Sequence, residues 1–159
     1  MTRGCFMHYL CGTLTKNQYP MSLTNYVYEL PMKVRDYECD IQGVVNNANY
    51  QHYLEHARHE FLLSVGISFA DYHDRGIDFI VYRIEIDYKT PLRSRDEFLV
   101  RINLKKDGIR WIFEQEIVNR MSGKTCVMAK VVCVALVNGR PKDCPELMAQ
   151  LHERMPDVF

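Results

Sequence analysis

A chain of 159 residues, 47% hydrophobic and 25% charged, has room for one domain with a proper core but not for two comfortable ones. Twenty basic residues balance twenty acidic ones; the zero formal charge removes the footprint of a nucleic-acid binder and leaves little repulsion between copies. No apolar run approaches a membrane span, and the six cysteines include no CxxC pair. A reduced, cytoplasmic setting is therefore expected, rather than a disulfide framework or a zinc knuckle.

Residues 1–28 read as a flexible leader or upstream extension, with Met21 a candidate true start, and 29–159 as a single domain. A first strand is expected over Leu30–Glu38. Asn46 and Asn47 can both cap a helix, and Tyr50, Tyr53, Leu54, Ala57, Phe61 and Val65 then recur at steps of three and four, the mark of one buried helix face ending at Gly66. A short turn of helix is expected near Ser68–His73.

The period then changes to two. Ile80, Tyr82, Ile84, Ile86 and Tyr88 alternate with polar or smaller residues, which predicts a half-buried strand with those five on its inner face, stopped by Pro91. Further strands follow through Phe98–Leu104 up to the turn pair Asp107-Gly108, through Trp111–Ile117, and through Thr125–Val137. The last is almost continuously apolar, so burial on both faces is expected. A final helix over Pro145–Arg154 completes an α+β domain, one main helix laid on an antiparallel sheet of about five strands.

The chemistry concentrates in Tyr37-Glu38-Cys39-Asp40-Ile41-Gln42-Gly43-Val44-Val45-Asn46-Asn47-Ala48-Asn49-Tyr50: a strand end, a carboxylate, a glycine-bearing loop and a helix start. The first turn of a helix has unpaired N–H groups and the positive end of the dipole, which suit a developing oxyanion. A carboxylate nearby can act as nucleophile or general base, and Gly43 permits a tight turn and close approach of a substrate. Turn-forming and capping roles for Asp40, Asn46 and Asn47 are the commoner use of such residues.

This run resembles the signature of the 4-hydroxybenzoyl-CoA thioesterase family of hotdog-fold proteins. Glu55, Ala57, Arg58 and Glu60, then Ile86-Asp87-Tyr88 with Pro91, Asp96, and Gly139-Arg140-Pro141 with Pro145 continue the likeness over roughly residues 30 to 150. The resemblance implies a long helix wrapped by the sheet, homodimers or homotetramers with active sites at the dimer interface, and hydrolysis of an acyl-CoA without metal or other cofactor. It implies Asp40 as the catalytic carboxylate and the Asn47 amide as the group that polarises the thioester carbonyl. Gly43, Val45, Asn46 and Tyr50 are expected around the substrate.

Val45, Asn46, Asn47 and Tyr50 are also similar to the acyl-ACP thioesterase branch. There a His usually stands in place of Val44, so the carrier, CoA or acyl carrier protein, stays open. A non-catalytic module that binds an acyl thioester is the alternative of another class.

Three other signals compete. His52-Tyr53-Leu54-Glu55-His56 fits the H-x-x-E-H pattern of a zinc peptidase, but the chain is short for one and a polar helix face is the expectation. Glu55 is a second candidate carboxylate, more simply an ion-pair partner for Arg58 or His59. Arg93, Arg95, Lys105, Lys106 and Arg110 could meet CoA phosphates or form a solvated rim.

Overall fold

The computed structural model describes residues 26–156. The expected leader and candidate start at Met21, with Cys5 and Cys11, lie outside those residues apart from its last three positions.

Helix α1 spans Asn47–Ser64, and Tyr50, Tyr53, Leu54, Ala57 and Phe61 are all buried along one side, as their spacing predicts. That side packs on the inner face of an antiparallel sheet. Its strands are β1 (Tyr28–Lys33), β2 (Ile77–Tyr88), β3 (Glu97–Asp107), β4 (Arg110–Asn119), β5 (Thr125–Val137) and the short β6 (Arg140–Lys142). The order across the sheet is β1-β3-β4-β5-β2, with β6 also paired to β5. Phe98, Val100, Ile102, Ile117, Val127 and Val131 meet the helix in one core, each fully buried. Burial of a side chain such as Phe61 contributes about 1.5–3 kcal/mol, so this face fixes where α1 begins and ends. A short helix α2 (Phe69–Asp74) follows α1, and α3 (Pro145–Arg154) closes the fold.

Two sequence expectations need correction. The first strand ends at Lys33, and Asp36–Glu38 form a single 3-10 turn, because Glu38 turns inward to partners described below. In β2 the alternation breaks: Val81 pairs with Cys133 and Arg83 with Val132, which leaves Tyr82 as an unpaired bulge. The inner face therefore reads Ile77, Phe79 and Val81 before the bulge, and Ile84, Ile86 and Tyr88 after it. Ile80 lies on the outer face, and Tyr82 is 65% exposed.

Strand β5 lies between β4 and β2, and it is buried on both faces as expected, Val127 and Val131 inward, Met128 and Val132 outward. Among the described residues, strand β2 pairs on one side only. It is a twelve-residue edge with Val81, Tyr82 and Ile84 exposed.

Candidate active site

The loop before α1 is a narrow hairpin. Cys39 bridges Val45, the Asp40 N–H donates to the Val44 carbonyl at 2.9 Å, and the Gly43 N–H donates to the Asp40 carbonyl at 2.9 Å. Gly43 has φ of 72°, a left-handed value that this turn requires and that glycine adopts without strain. Asp40 Oδ1 accepts the Gln42 N–H at 2.8 Å, so the turn-forming role is real. Its other carboxylate oxygen has no partner among the described residues.

The opposite arm of the hairpin runs directly into α1. Asn46 is the N-cap, its side-chain oxygen accepting the Ala48 N–H at 3.0 Å. Asn47 is the first helical residue, so its N–H has no intrahelical acceptor. One short antiparallel pair thus carries Asp40 on one arm and leads to a free helix-start amide on the other. Gly43, Asn46 and Asn47 are exposed, whereas Val45 and Tyr50 are buried.

Tyr50 is a support. Its hydroxyl accepts the Leu92 N–H at 2.9 Å, while the Leu92 carbonyl accepts the Val45 N–H at 2.9 Å. The β2–β3 connection is strapped to the loop in this way. Tyr88, at the end of β2, donates to the Asn47 carbonyl at 3.2 Å.

Glu38, expected at the end of the first strand, is instead a buried anchor of the loop. It is 6% exposed, and its Oε2 accepts the Tyr53 hydroxyl at 2.6 Å and the Arg35 N–H at 2.7 Å. The Arg35 guanidinium reaches Oε1 at 3.1 Å. Burial alone would raise the Glu38 pKa; the hydrogen bonds from Tyr53 and Arg35 outweigh it and hold the carboxyl below its ordinary value. The Glu38 carbonyl also accepts the Asn46 N–H at 3.0 Å and the Asn49 side chain at 2.7 Å, which pins the start of α1. The signal available was Glu38 and Tyr53 flanking a loop, a pairing across fifteen positions that no helical or strand period reveals.

Of the five basic residues, only Arg93 approaches this loop, with Nη1 3.5 Å from the Gly43 carbonyl. Arg95, Lys105, Lys106 and Arg110 pair with Asp36, Glu114, Asp143 and Asp107. Glu55 is exposed and makes no ion pair with Arg58 or His59. Arg58 is buried instead, donating to Gln115 Oε1 at 2.9 Å. His52 and His56 lie exposed on α1.

Residues 34–151 match the model of the thioesterase-like superfamily. The chain belongs to this family. It is 35% identical over 112 residues to the Arabidopsis thaliana acyl-acyl carrier protein thioesterase ATL3, chloroplastic, a match that covers 70% of this chain and 59% of that protein. It is 32% identical to the Escherichia coli long-chain acyl-CoA thioesterase FadM, covering 80% of this chain and 96% of the relative. Among solved structures, the Aquifex aeolicus protein AQ1494 superposes with a TM-score of 0.72 at 28% identity, over 78% of this chain and 98% of that one. The chain spans about three-fifths of the length of the chloroplast relatives it matches. The hotdog arrangement, a long helix wrapped by an antiparallel sheet, is the fold of this superfamily member.

Proposed function

We propose that this protein hydrolyses an acyl-CoA thioester to the free acid and CoA, with Asp40 as the reacting carboxylate. The observation that supports it most is the tied hairpin, which holds a carboxylate with one unclaimed oxygen on the arm opposite a free helix-start amide. The thioester carbonyl oxygen accepts the Asn47 N–H, and the positive end of α1 favours the charge that builds there. Asp40 either attacks the carbonyl, expelling thiolate and leaving an anhydride that water opens, or takes a proton from the attacking water. No metal or other cofactor takes part in either route. Gly43, Val45, Asn46 and Tyr50 shape the approach, and Arg93 is positioned for a carrier phosphate.

Two copies pairing through the β2 edge form the working unit, a homodimer, with assembly to a homotetramer compatible with it. The exposed Val81, Tyr82 and Ile84 and the unpaired side of a twelve-residue strand support this. A cytoplasmic site of action accords with the thiols: burial pushes Cys126 up to about 11, which keeps it unreactive.

The carrier has a second reading. The acyl carrier protein named for the ATL3 relative, together with Val45-Asn46-Asn47 and Tyr50, favours an acyl-ACP substrate. Thiol release from parallel acyl-CoA and acyl-ACP panels, wild type against Asp40→Ala, tests both readings. The expected result is turnover on one carrier and a loss of about 10³-fold in kcat in the variant. Undiminished turnover in the variant removes Asp40 from the reaction. Tight acyl-thioester binding without turnover by wild type converts the reading to a binding module.

A further inference from the structure

A well-formed apolar cavity lies away from Asp40, which does not line it. This cavity, of about 430 Å³, lies beside the C-terminal half of α1, walled by α2, the first half of β2 and the inner face of the sheet. Its walls are mainly apolar, with Leu62, Phe69, Phe79 and Phe113 prominent. Among the polar groups that interrupt them are two buried nitrogen donors.

The first is Arg58, only 7% exposed. One guanidinium nitrogen donates to Gln115, and no carboxylate among the described residues lies within ion-pair distance. A buried guanidinium stays charged and presents five N–H donors, so most of its hydrogen-bonding capacity is unclaimed. The second is Trp111, which is 1% exposed and also lines the cavity. Its Nε1 is a buried donor with no acceptor among the described residues. An orphaned buried donor is costly, and such groups in native proteins generally have a partner. Trp111 Nε1 is such an orphan, and with the charged Arg58 beside it in the wall of one apolar cavity it points to a missing acceptor. The carboxylates at the cavity, Glu55 and Asp78, do not serve: Glu55 is exposed, and Asp78 pairs with His73 at 2.6 Å.

We infer that this cavity seats the apolar part of an acyl group that carries its own acceptor oxygen, a hydroxyl, keto or carboxylate group, held by Arg58 and Trp111. The inference rests on the thioesterase reading and adds a substrate class to it: oxygen-substituted acyl thioesters over plain hydrocarbon ones. The cavity and the Asp40 loop lie at opposite ends of β2, since Val81 borders the cavity and Tyr88 touches Asn47. Antiparallel pairing of two β2 edges brings the Val81 end of one copy beside the Tyr88 end of the other. In such a dimer the pocket of one copy serves Asp40 of its partner.

Trp111 is the chain's single tryptophan, so binding has a readout that needs no catalysis. The full chain is titrated with decanoate and with decylamine while Trp111 emission is followed. Decanoate is expected to give a saturable change and decylamine none. Arg58→Met should weaken decanoate by at least about tenfold, the factor carried by one hydrogen bond to a charged group. Ala70→Phe, which fills the cavity from α2 and leaves Arg58 in place, should abolish the response. Equal responses to the two amphiphiles, or unchanged decanoate affinity in a folded Arg58→Met, overturn the inference.

The second arm compares kcat/KM for hydroxydecanoyl-CoA isomers against decanoyl-CoA. Wild type is expected to prefer the best-placed isomer by about tenfold, with the preference gone in Arg58→Met. Equal rates for all isomers in wild type overturn the substrate class. Decanoate binding that depends on Arg58, without any thioester turnover, leaves the acceptor pocket standing and removes the thioesterase reading beneath it.

Discussion

The Tyr53 hydroxyl donates to Oε2 of the buried Glu38 at 2.6 Å, which ties the second turn of α1 to the turn that precedes the Asp40 hairpin. Because Glu38 also receives two hydrogen bonds from Arg35, its ionised form belongs to the folded state. Its folded pKa lies below the ordinary value of 4.5. The stabilisation is therefore complete above that value and is lost as pH falls from 4.5 through the folded pKa. Glu38→Gln should cost about 1–2 kcal/mol at pH 7 and flatten the acid side of the stability curve. Urea midpoints at pH 7, 5, 4 and 3 check both effects.

Asn46→Ala removes the oxygen that accepts the Ala48 N–H. The expected loss is about 1 kcal/mol of stability, measured by thermal or urea unfolding, while Asn46→Ser restores most of it. A fall in kcat larger than the stability change explains would show that the helix start itself positions substrate.

Tyr82→Lys places a charge on an exposed edge bulge without entering the core. Light scattering should give the monomer mass, with an unchanged circular dichroism spectrum and thioesterase activity lost. An assembly unaffected by the substitution would mean that copies associate elsewhere.

Arg93 reaches the Gly43 carbonyl of the Asp40 hairpin, and it has no carboxylate ion-pair partner among the described residues. Arg93→Ala should raise KM for a phosphate-bearing thioester about three- to tenfold with kcat little changed, and the difference should shrink at high salt. An equal effect on substrates lacking the carrier phosphates would assign Arg93 to loop support instead.

The elements that sequence made legible are those with a sustained local period: α1 from Tyr50 to Phe61, and β5 with its unbroken apolar run. The Asp40–Asn47 loop was legible as a motif, because residue types and spacing within fourteen positions carry it. What escaped depends on distance in sequence. Glu38 falls at the end of the expected first strand, and nothing local marks its role, because its partners Arg35 and Tyr53 come from two different elements. Helical spacing offers Glu55 either Arg58 or His59 as a partner, whereas the residue that holds Arg58, Gln115, lies fifty-seven positions away on β4. The β2 alternation failed at Tyr82 because a bulge is set by pairing with β5, not by the strand's own pattern.

That bulge makes β2 two half-strands with opposite phase. Because Val81 and Arg83 face consecutive residues of β5, deleting Tyr82 would restore a simple alternation and leave both halves on their present faces. A further residue removed beside it would find no slack, and one half would turn over. Either Phe79 and Val81 would swing out of the cavity wall, or Tyr88 would uncouple from Asn47. Tyr82 is therefore the single loose link in a rigid ruler, the one position of β2 where a residue can be lost without moving either end.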